Sequence, residues 1–421
     1  MIGIQQILVN RDVPEKYRNN FLHLFLDIAW FGVLNGSAIN FLNVYVTRLG
    51  ATPFQVGLLS ATSAVVNLLF AIPAAHWLEK RSIGKAVFWT SIFYRIGFLL
   101  WVPLPWLFDA PTQTWALIGL ALLMGIPLTA LGVGFNVMFA TAVPTQYRAY
   151  VAGTRNVLLS ITFMLTSLGC GILLDRVAYP LNYQIVFLIG AIGGGMSSLH
   201  LYKVRPLKED TGRETPPTAQ SESTDIPNQP SKSWLSSLRT DIWKTPFKIT
   251  LILFLGFHLA QYLAVPLFPV YNVRNLQLTD QNIGTGTALF YLTVLLASTQ
   301  LARIVKHAGH KNITGLGVAG LSIYPIALAF STLVWQYYLV SAVGGLIWAL
   351  VAGASANYLL EKIPINDRPS HLAWYTVILN LAVLTGSLIG PLFADVMGIV
   401  SALVLAGILR LFAGMAILKW G

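Results

Sequence analysis

Asp27 is the acidic residue with the least ordinary surroundings in this sequence. The chain contains sixteen Asp and Glu residues, and Asp27 alone lies inside a long apolar run. An isolated charge in a membrane interior costs about 3 kcal/mol by insertion scales. His23 and Asn35 project from nearly the same helical face as Asp27, because they lie four residues before it and eight after it. Asp27 is therefore either a proton-binding group or the structural partner of a buried cation.

Two arginines, Arg95 and Arg410, also lie near the middle of apolar runs. A guanidinium keeps its charge and can reach several ångströms along its apolar stem to find a partner. Arg95 is the candidate partner of Asp27 on a neighbouring helix.

A second group of polar side chains lies in one apolar run, where His258, Gln261 and Tyr262 share a helical face. A single histidine is more often a satisfied core residue than a ligand-binding group, so packing and binding both stay open. Trp348 lies on a face of small residues in another run, where its ring is available to stack on a ligand.

The composition shows what kind of elements must position these residues. Of 421 residues, 55% are hydrophobic and 10% are charged, whereas soluble domains carry about 25% charged residues. Most of the surface must therefore face lipid. The single cysteine, Cys170, excludes an internal disulfide, and we expect no metal and no cofactor.

The chain contains about twelve apolar runs of the length that a membrane-spanning helix needs. The sequence thus predicts an all-α integral membrane protein with about twelve transmembrane helices in two pseudo-symmetric six-helix bundles. The runs lie near residues 21–46, 54–78, 86–104, 115–141, 156–174, 184–202, 247–271, 283–302, 313–334, 337–360, 371–394 and 398–418.

The distribution of Lys and Arg predicts the orientation. If the amino terminus is cytoplasmic, the outer loops hold only Arg48, Arg176 and Arg274 of the 27 basic residues. Arg155 is counted among the cytoplasmic ones. We therefore expect a multi-pass protein of the cell (plasma or inner) membrane with both termini in the cytoplasm. The net charge of +11 is then a signal of topology, and we expect no nucleic-acid partner.

A polar segment divides the chain. Residues 205–245 are rich in Pro, Ser, Thr and charge, and such a composition cannot bury enough apolar area to fold. The predicted domains are a cytoplasmic amino-terminal segment (1–20), an amino-terminal six-helix bundle (21–203), a flexible cytoplasmic linker (204–246) and a carboxy-terminal six-helix bundle (247–421).

The two halves resemble each other at two offsets, which indicates an internal repeat. At an offset of 220 residues, seven identical pairs include Arg148 with Arg368, Ser167 with Ser387, and Asp175 with Asp395. At an offset of 227, the segment from Thr52 to Gly57 matches the segment from Thr279 to Gly284. Both threonines are predicted to cap the helix that follows.

With six helices on each side of a polar linker, and basic loops after the second and eighth helices, the chain resembles the major facilitator superfamily. The family signature Gly-x-x-x-Asp-Arg-x-Gly-Arg-Arg is matched in part by residues 75–85, Ala-His-Trp-Leu-Glu-Lys-Arg-Ser-Ile-Gly-Lys. The resemblance implies a cytoplasmic gate that involves Glu79, Lys80, Arg148 and Arg368.

In that family helices 1, 4, 7 and 10 line a central cavity, and helices such as 3 and 12 lie outside it. The resemblance therefore implies structural roles for Arg95 and Arg410 and a proton-coupling role for Asp27. It implies substrate binding by His258, Gln261, Tyr262, Trp348, Asn35 and Asn136. One carboxylate, a histidine, amides and aromatic rings favour a neutral, cationic or amphiphilic solute.

The function implied by the resemblance is secondary active transport of a small organic solute by alternating access, with a proton as the coupling ion. We expect a monomer whose partners are the solute, the coupling ion and the bilayer. Two alternatives stay open: a polytopic membrane enzyme that acts on lipid-linked substrates, and a receptor or scramblase with a transporter fold that does not transport. An enzyme needs convergent carboxylates or a metal site, and the short loops carry only scattered acids.

The linker assignment predicts a pattern of proteolysis. Protease added to the cytoplasmic side should cut within residues 205–245 and leave two membrane-embedded halves of about six helices each. Gel electrophoresis of inside-out and right-side-out vesicles checks this. Cleavage of the linker from the outer side alone would contradict the predicted orientation.

Overall fold

Twelve long helices form the part of the chain that the structure describes. The computed structural model describes residue 9 and residues 13–207, 239–364 and 367–421, and these residues contain helices but no strand. The helices are α1 Glu15–Arg48, α2 Pro53–Glu79, α3 Ile83–Trp101, α4 Ala110–Ala142, α5 Arg148–Arg176, α6 Leu181–Lys203, α7 Phe247–Asn275, α8 Asp280–Ser298, α9 Leu301–Gly320 with its continuation Ile323–Ala329, α10 Val334–Glu361, α11 Arg368–Met397 and α12 Ile399–Trp420.

The predicted all-α membrane fold is confirmed. Eleven of these helices are long and apolar enough to cross a membrane. The twelfth, α8, opens with the polar residues DQNIGTGT, which lowers its mean hydropathy. Both α1 and α7 contain a π-helical turn, at Asn35–Ile39 and Tyr271–Asn275 respectively.

The predicted boundary between the ninth and tenth helices was wrong by a few residues. The sequence placed the break at Trp335 and Gln336, but α9 ends at Ala329 and α10 begins at Val334. The side chain of Gln336 accepts hydrogen bonds from the backbone N–H groups of Thr332 (2.7 Å) and Leu333 (3.0 Å). This capping interaction starts the helix earlier than hydropathy alone indicates.

The packing of the helices repeats between the halves. Within the first half α1 packs on α5 and α6, α2 on α4, and α3 on α4 and α6; within the second α7 packs on α11 and α12, α8 on α10, and α9 on α10 and α12. Between the halves, α5 packs on α8 and α2 on α11. Each contact has a counterpart six helices later, so the two bundles are related by pseudo-twofold symmetry.

Two ends of the bundle are distinguished below. The outer end carries residues 49–52, which connect α1 to α2, and the inner end carries residues 204–207 and 239–246. Residues 208–238, most of the predicted linker, lie outside the described residues. At the inner end the backbone N–H of Arg205 donates to Asn20 Oδ1 (3.0 Å), and Trp374 donates to the carbonyl of Arg239 (3.0 Å).

The threonine caps predicted from the repeat are present at the start of α2 and α8. Thr52 Oγ1 accepts from the N–H of Gln55, and Thr279 Oγ1 accepts from the N–H of Asn282, each at 3.2 Å. Both helices therefore begin with the same side-chain geometry.

The glycines that close the matched segments let the halves approach closely. A Cβ atom at Gly57 would lie 2.1 Å from the carbonyl oxygen of Ser387, and one at Gly284 would lie 2.6 Å from that of Ser167. The two serines are themselves a matched pair of the repeat. The same pair of residue types thus forms the α2–α11 and the α8–α5 contacts.

Replacement of Gly284 by Ala should separate the halves at the outer end. The added methyl group meets backbone, so the clash costs about 1–3 kcal/mol and lowers the equilibrium constant for this conformation by a factor of about 5 to 150. Spin labels at Asp109→Cys and Val396→Cys, in a Cys170→Ser background, report the separation across the outer end. Gly169→Ala on α5 is the control, because a Cβ there meets nothing within 4 Å. An unchanged distance distribution in the Gly284→Ala protein would contradict this account of the contact.

Candidate functional site

Asp27 lies at the centre of a buried charge cluster in the first half. Its side chain is almost completely buried, with 3% of the residue exposed. Arg155 of α5 donates from Nη1 to Asp27 Oδ2 (3.0 Å) and to the carbonyl of Leu24 (2.5 Å). The face of its guanidinium lies 4.7 Å from the ring centroid of Phe135. The nearest cation to Asp27 is therefore Arg155.

Arg95 completes the cluster from a greater distance. Its Nη2 lies 3.9 Å from Asp27 Oδ1, and its Nη1 donates to Ser198 Oγ (2.7 Å). Ser197 of α6 donates from its hydroxyl to Asp27 Oδ1. Arg95 Nε is buried without a hydrogen-bond partner. One carboxylate thus serves two buried guanidinium groups.

The sequence-based assignment of Arg155 to a cytoplasmic segment was wrong. Because α5 begins at Arg148, Arg155 lies two turns inside that helix and faces α1. The repeat contains a signal for this position, since the residue 220 places later is Tyr375. Tyr375 of α11 faces α7 and forms a 3.0 Å hydrogen bond with His258 Nε2. Arg155 and Tyr375 therefore occupy matching positions, each bonded to a polar group on the first helix of its half.

The polar residues of the first half that the sequence placed beside Asp27 or at the substrate site lie apart from one another. His23 contacts His200 of α6 through their Nδ1 atoms (3.0 Å), so one ring donates and the other accepts. Asn35 donates to the carbonyl of Phe31 (2.8 Å) within its own helix. Asn136 is exposed on α4. The three side chains do not converge on one site in this conformation.

The second half contains a cavity of about 300 Å³ that brings together Gln261, Trp348 and Arg410. Its remaining lining residues are Phe268, Phe290, Tyr291, Leu321, Tyr324 and Gly344. His258 lies one turn before Gln261 and stacks on Phe254 at a centroid distance of 5.9 Å. Tyr262 is half-buried next to Gly386 of α11. Gln261 and Trp348 therefore share a cavity, and His258 and Tyr262 lie beside it against α11.

Arg410 is fully buried at the back of this cavity, with 1% of the residue exposed. It donates to the carbonyl oxygens of Gln261 (3.0 Å), Leu321 (3.2 Å) and Ala260 (3.4 Å). These bonds join α12 to α7 and α9.

A cluster of charged residues that sequence reasoning missed holds the outer end closed. Arg48 Nε donates to Asp280 Oδ1 (2.8 Å), and Tyr183 donates to Asp280 Oδ2 (2.9 Å). Asp175 accepts the backbone N–H groups of Asp280 (3.0 Å) and Gln281 (3.2 Å) at the start of α8. From the sequence Arg48, Asp175 and Asp280 look scattered, because three separate outer segments supply them.

Two arginines cross between the halves in a reciprocal way. Arg48, at the end of α1, donates to the carbonyl of Leu278 before α8 (2.8 Å), and Arg274, at the end of α7, donates to the carbonyl of Ala51 before α2 (2.5 Å). The alignment of Thr52 with Thr279 is the sequence signal for this pair, since the arginines precede those threonines by four and five residues.

The inner end lacks such connections among the described residues. Glu79, Lys80 and Arg368 are exposed there, and Arg148 donates to the carbonyl of Ala140 (2.8 Å) at the end of α4 in its own half. Between the halves, the innermost polar contact joins Asn67 to Asn380 (3.2 Å). In the described part of the chain, the polar contacts between the halves therefore lie at the outer end and at mid-depth, and none lies at the inner end.

The charge count in the Asp27 cluster predicts an order of stability among variants. Asp27→Asn leaves two buried guanidinium groups without a counter-ion, which costs about 3–5 kcal/mol. Arg95→Gln should cost less, because Asp27 keeps Arg155. Thermal unfolding in detergent measures both, with Asp109→Asn as the matched control at an exposed helix cap. A larger loss for Arg95→Gln than for Asp27→Asn would contradict this order.

Comparison with known proteins agrees with this architecture. The family profile of the Major Facilitator Superfamily matches residues 27–279 and 250–420. Multidrug resistance protein MdtG of Proteus mirabilis (strain HI4320) is 24% identical over 140 residues, which are 32% of this chain and 33% of that protein. The match thus spans about a third of the relative.

Solved structures of two transporters share the fold. A crystal structure of a mutant form of the nucleoside transporter NupG has a TM-score of 0.71 at 11% identity, and the match covers 95% of this chain and 99% of that one. A POT family transporter in complex with a thioalcohol-conjugated peptide has a TM-score of 0.69 at 12% identity, with coverages of 94% and 95%. The chain belongs to the Major Facilitator Superfamily.

Proposed function

We propose that the chain is a secondary active transporter that moves a small organic solute across the membrane by alternating access. The observation that carries this proposal is the distribution of contacts between the halves. They lie at the outer end and in the middle of the bundle, where the pairs α2–α11 and α5–α8 meet. Rocking of two symmetric halves about these contacts opens one end as it closes the other.

The outer cluster around Asp280 is the closed gate of this conformation. Its ion pair and hydrogen bonds break when the outer end opens. The inner gate closes in the same movement, when Glu79 and Lys80 of the α2–α3 region approach the ends of α10 and α11 near Arg368, while Arg148 anchors the end of α4. The proposal that this gate is open in the present conformation is supported by the absence of any polar contact of these four residues between the halves of the described chain.

The solute site lies between the halves at mid-depth. Gln261, Trp348, His258 and Tyr262 contribute to it from the second half, and Asn35 and Asn136 contribute from the first. Aromatic rings near this level, such as Phe163 and Tyr291, which stack at 4.2 Å across the two halves, separate the site from the closed outer end.

Proton coupling is assigned to Asp27. Its carboxylate is held by side chains from three other helices, α3, α5 and α6. A small shift of these helices relative to α1 removes a donor or a cation, which changes the affinity of Asp27 for a proton. A proton then favours one conformation over the other through that difference in affinity.

The chain works in this scheme as a monomer in the cell membrane with both termini in the cytoplasm, so the inner end faces the cytoplasm. Its relatives and structural neighbours include a multidrug resistance protein, a nucleoside transporter and a peptide-bound transporter, all of which fit the class of small organic solutes. The alternative function, a membrane enzyme that acts on lipid-linked substrates, needs a cluster of catalytic carboxylates. The described residues offer no such cluster in its support.

Flux into proteoliposomes tests the transport proposal. A thermal-shift screen of nucleosides, dipeptides, aromatic acids and organic cations selects the solute that stabilises the protein most. A pH gradient should drive its accumulation in vesicles with the parent protein. Absence of uptake above protein-free liposomes, with or without the gradient, would contradict the proposal.

Asp27→Asn tests the coupling. The variant should lose accumulation against a gradient and retain exchange down one, because the solute site is intact while the proton site is absent. Asp109→Asn is the matched control and should accumulate like the parent. If Asp27→Asn accumulates solute as the parent does, Asp27 has a structural role and coupling lies elsewhere.

A further inference from the structure

We propose that the cavity beside Arg410 binds a small aromatic monocarboxylate, with the carboxylate on the Arg410 guanidinium. This inference rests on the proposed transport function, since it specifies the solute class of that site. It replaces the expectation of a neutral, cationic or amphiphilic solute, which followed from the one carboxylate, the histidine, the amides and the aromatic rings that the sequence offers.

The first argument is the charge of Arg410. None of the ion pairs among the described residues involves this side chain, although it is fully buried. In the first half, by contrast, Arg95 and Arg155 share the counter-ion Asp27. A buried guanidinium without a carboxylate lowers the stability of the fold. An anion that enters from the cavity supplies the missing negative charge.

The second argument is the number of free donors on Arg410. A guanidinium has five N–H groups, and three of them are directed at the carbonyls of Ala260, Gln261 and Leu321. Two of these carbonyls lie near helix ends. The regular α-helix in α7 runs from Phe247 to Ala264, so Gln261 lies in its last turn, and Leu321 directly follows the segment of α9 that ends at Gly320. Helix carboxyl ends carry about half a negative charge. They orient the guanidinium and leave N–H groups for a carboxylate.

The third argument is the shape and chemistry of the cavity walls. The rings of Phe290, Tyr291 and Trp348, together with those of Phe268 and Tyr324, surround a volume of about 300 Å³. That volume is at the lower limit for small-molecule sites. It suits one fused ring with a short acidic arm, whereas a nucleotide or another polyanion brings charges that one arginine does not match.

The fourth argument is an unpaired acceptor next to the cation. Gln261 Oε1 is buried and has no hydrogen-bond partner, and its side chain lines the same cavity. A buried acceptor without a donor costs free energy. A ligand with a ring N–H supplies that donor while its carboxylate meets Arg410. Indole-3-acetate has this combination of groups.

Isothermal titration calorimetry on the purified protein in nanodiscs tests the site with three probes. Indole-3-acetate carries the carboxylate, indole-3-acetamide has nearly the same shape without the charge, and tryptamine carries a positive charge. Indole-3-acetate should bind at least tenfold more tightly than the other two. Equal affinity for the acid and the amide would overturn the proposal.

Gln261→Glu is the decisive variant, because Arg410→Gln removes bonds between three helices and can fail to fold. The substitution keeps the shape of residue 261 and places a carboxylate beside Arg410, so affinity for indole-3-acetate should fall at least tenfold. Gln55→Glu at the exposed cap of α2 is the control and should bind like the parent. Unchanged affinity in folded Gln261→Glu would refute the site.

Flux measurements separate this inference from the transport proposal. If organic cations or nucleosides are transported but indole-3-acetate neither binds nor inhibits their uptake, the transporter proposal stands and the carboxylate site fails. If indole-3-acetate binds with the predicted selectivity but no solute is transported, the site stands and the transport proposal fails.

Discussion

The cost of an unneutralised charge inside an apolar helix bundle is the constraint on which this structure depends. Apolar contacts alone specify little here, because lipid tails are as apolar as the side chains and offer no net drive for one helix pairing over another. Buried polar groups supply the specificity. Asp27 requires donors from α3, α5 and α6, which fixes α1 among three neighbours. Asp280 requires Arg48 and Tyr183, which fixes one half against the other at the outer end.

The pseudo-symmetry of the halves makes the departures from it informative. The Gly57–Ser387 and Gly284–Ser167 contacts are equivalent. The charged contacts that accompany them at the outer end differ between the two. Asp175 caps the start of α8 through two backbone N–H groups. Its repeat counterpart, Asp395, is exposed, because the residue that matches Asp280 is Pro53, which has no N–H to donate. Polar closure is therefore concentrated at the α5–α8 contact, while α2 and α11 meet mainly through small residues.

The sequence predicts the parts of this structure that depend on one helix at a time. Hydropathy locates all twelve helices, and the repeat locates the caps at Thr52 and Thr279 and the serines that meet the glycines. The sequence does not show which residues pair with the buried charges. Hydropathy assigns Arg155 to a loop, because it places the start of the fifth helix after this residue. The outer cluster draws Arg48, Asp175 and Asp280 from three loops, and only the packing of α1, α5 and α8 brings them together.

The two halves differ in how they treat charge, and this difference bears on the energetics of transport. The first half contains one carboxylate, Asp27, for its two buried arginines, whereas in the second half Arg410 lies beside a cavity and donates to three backbone carbonyls. A monocarboxylate on Arg410 and a proton on Asp27 together add no net charge to the protein. Movement of one elementary charge across a membrane involves about 2.3 kcal/mol per 100 mV. A neutral pair avoids that term, so a transporter loaded in this way responds to the proton concentration gradient and not to the membrane voltage.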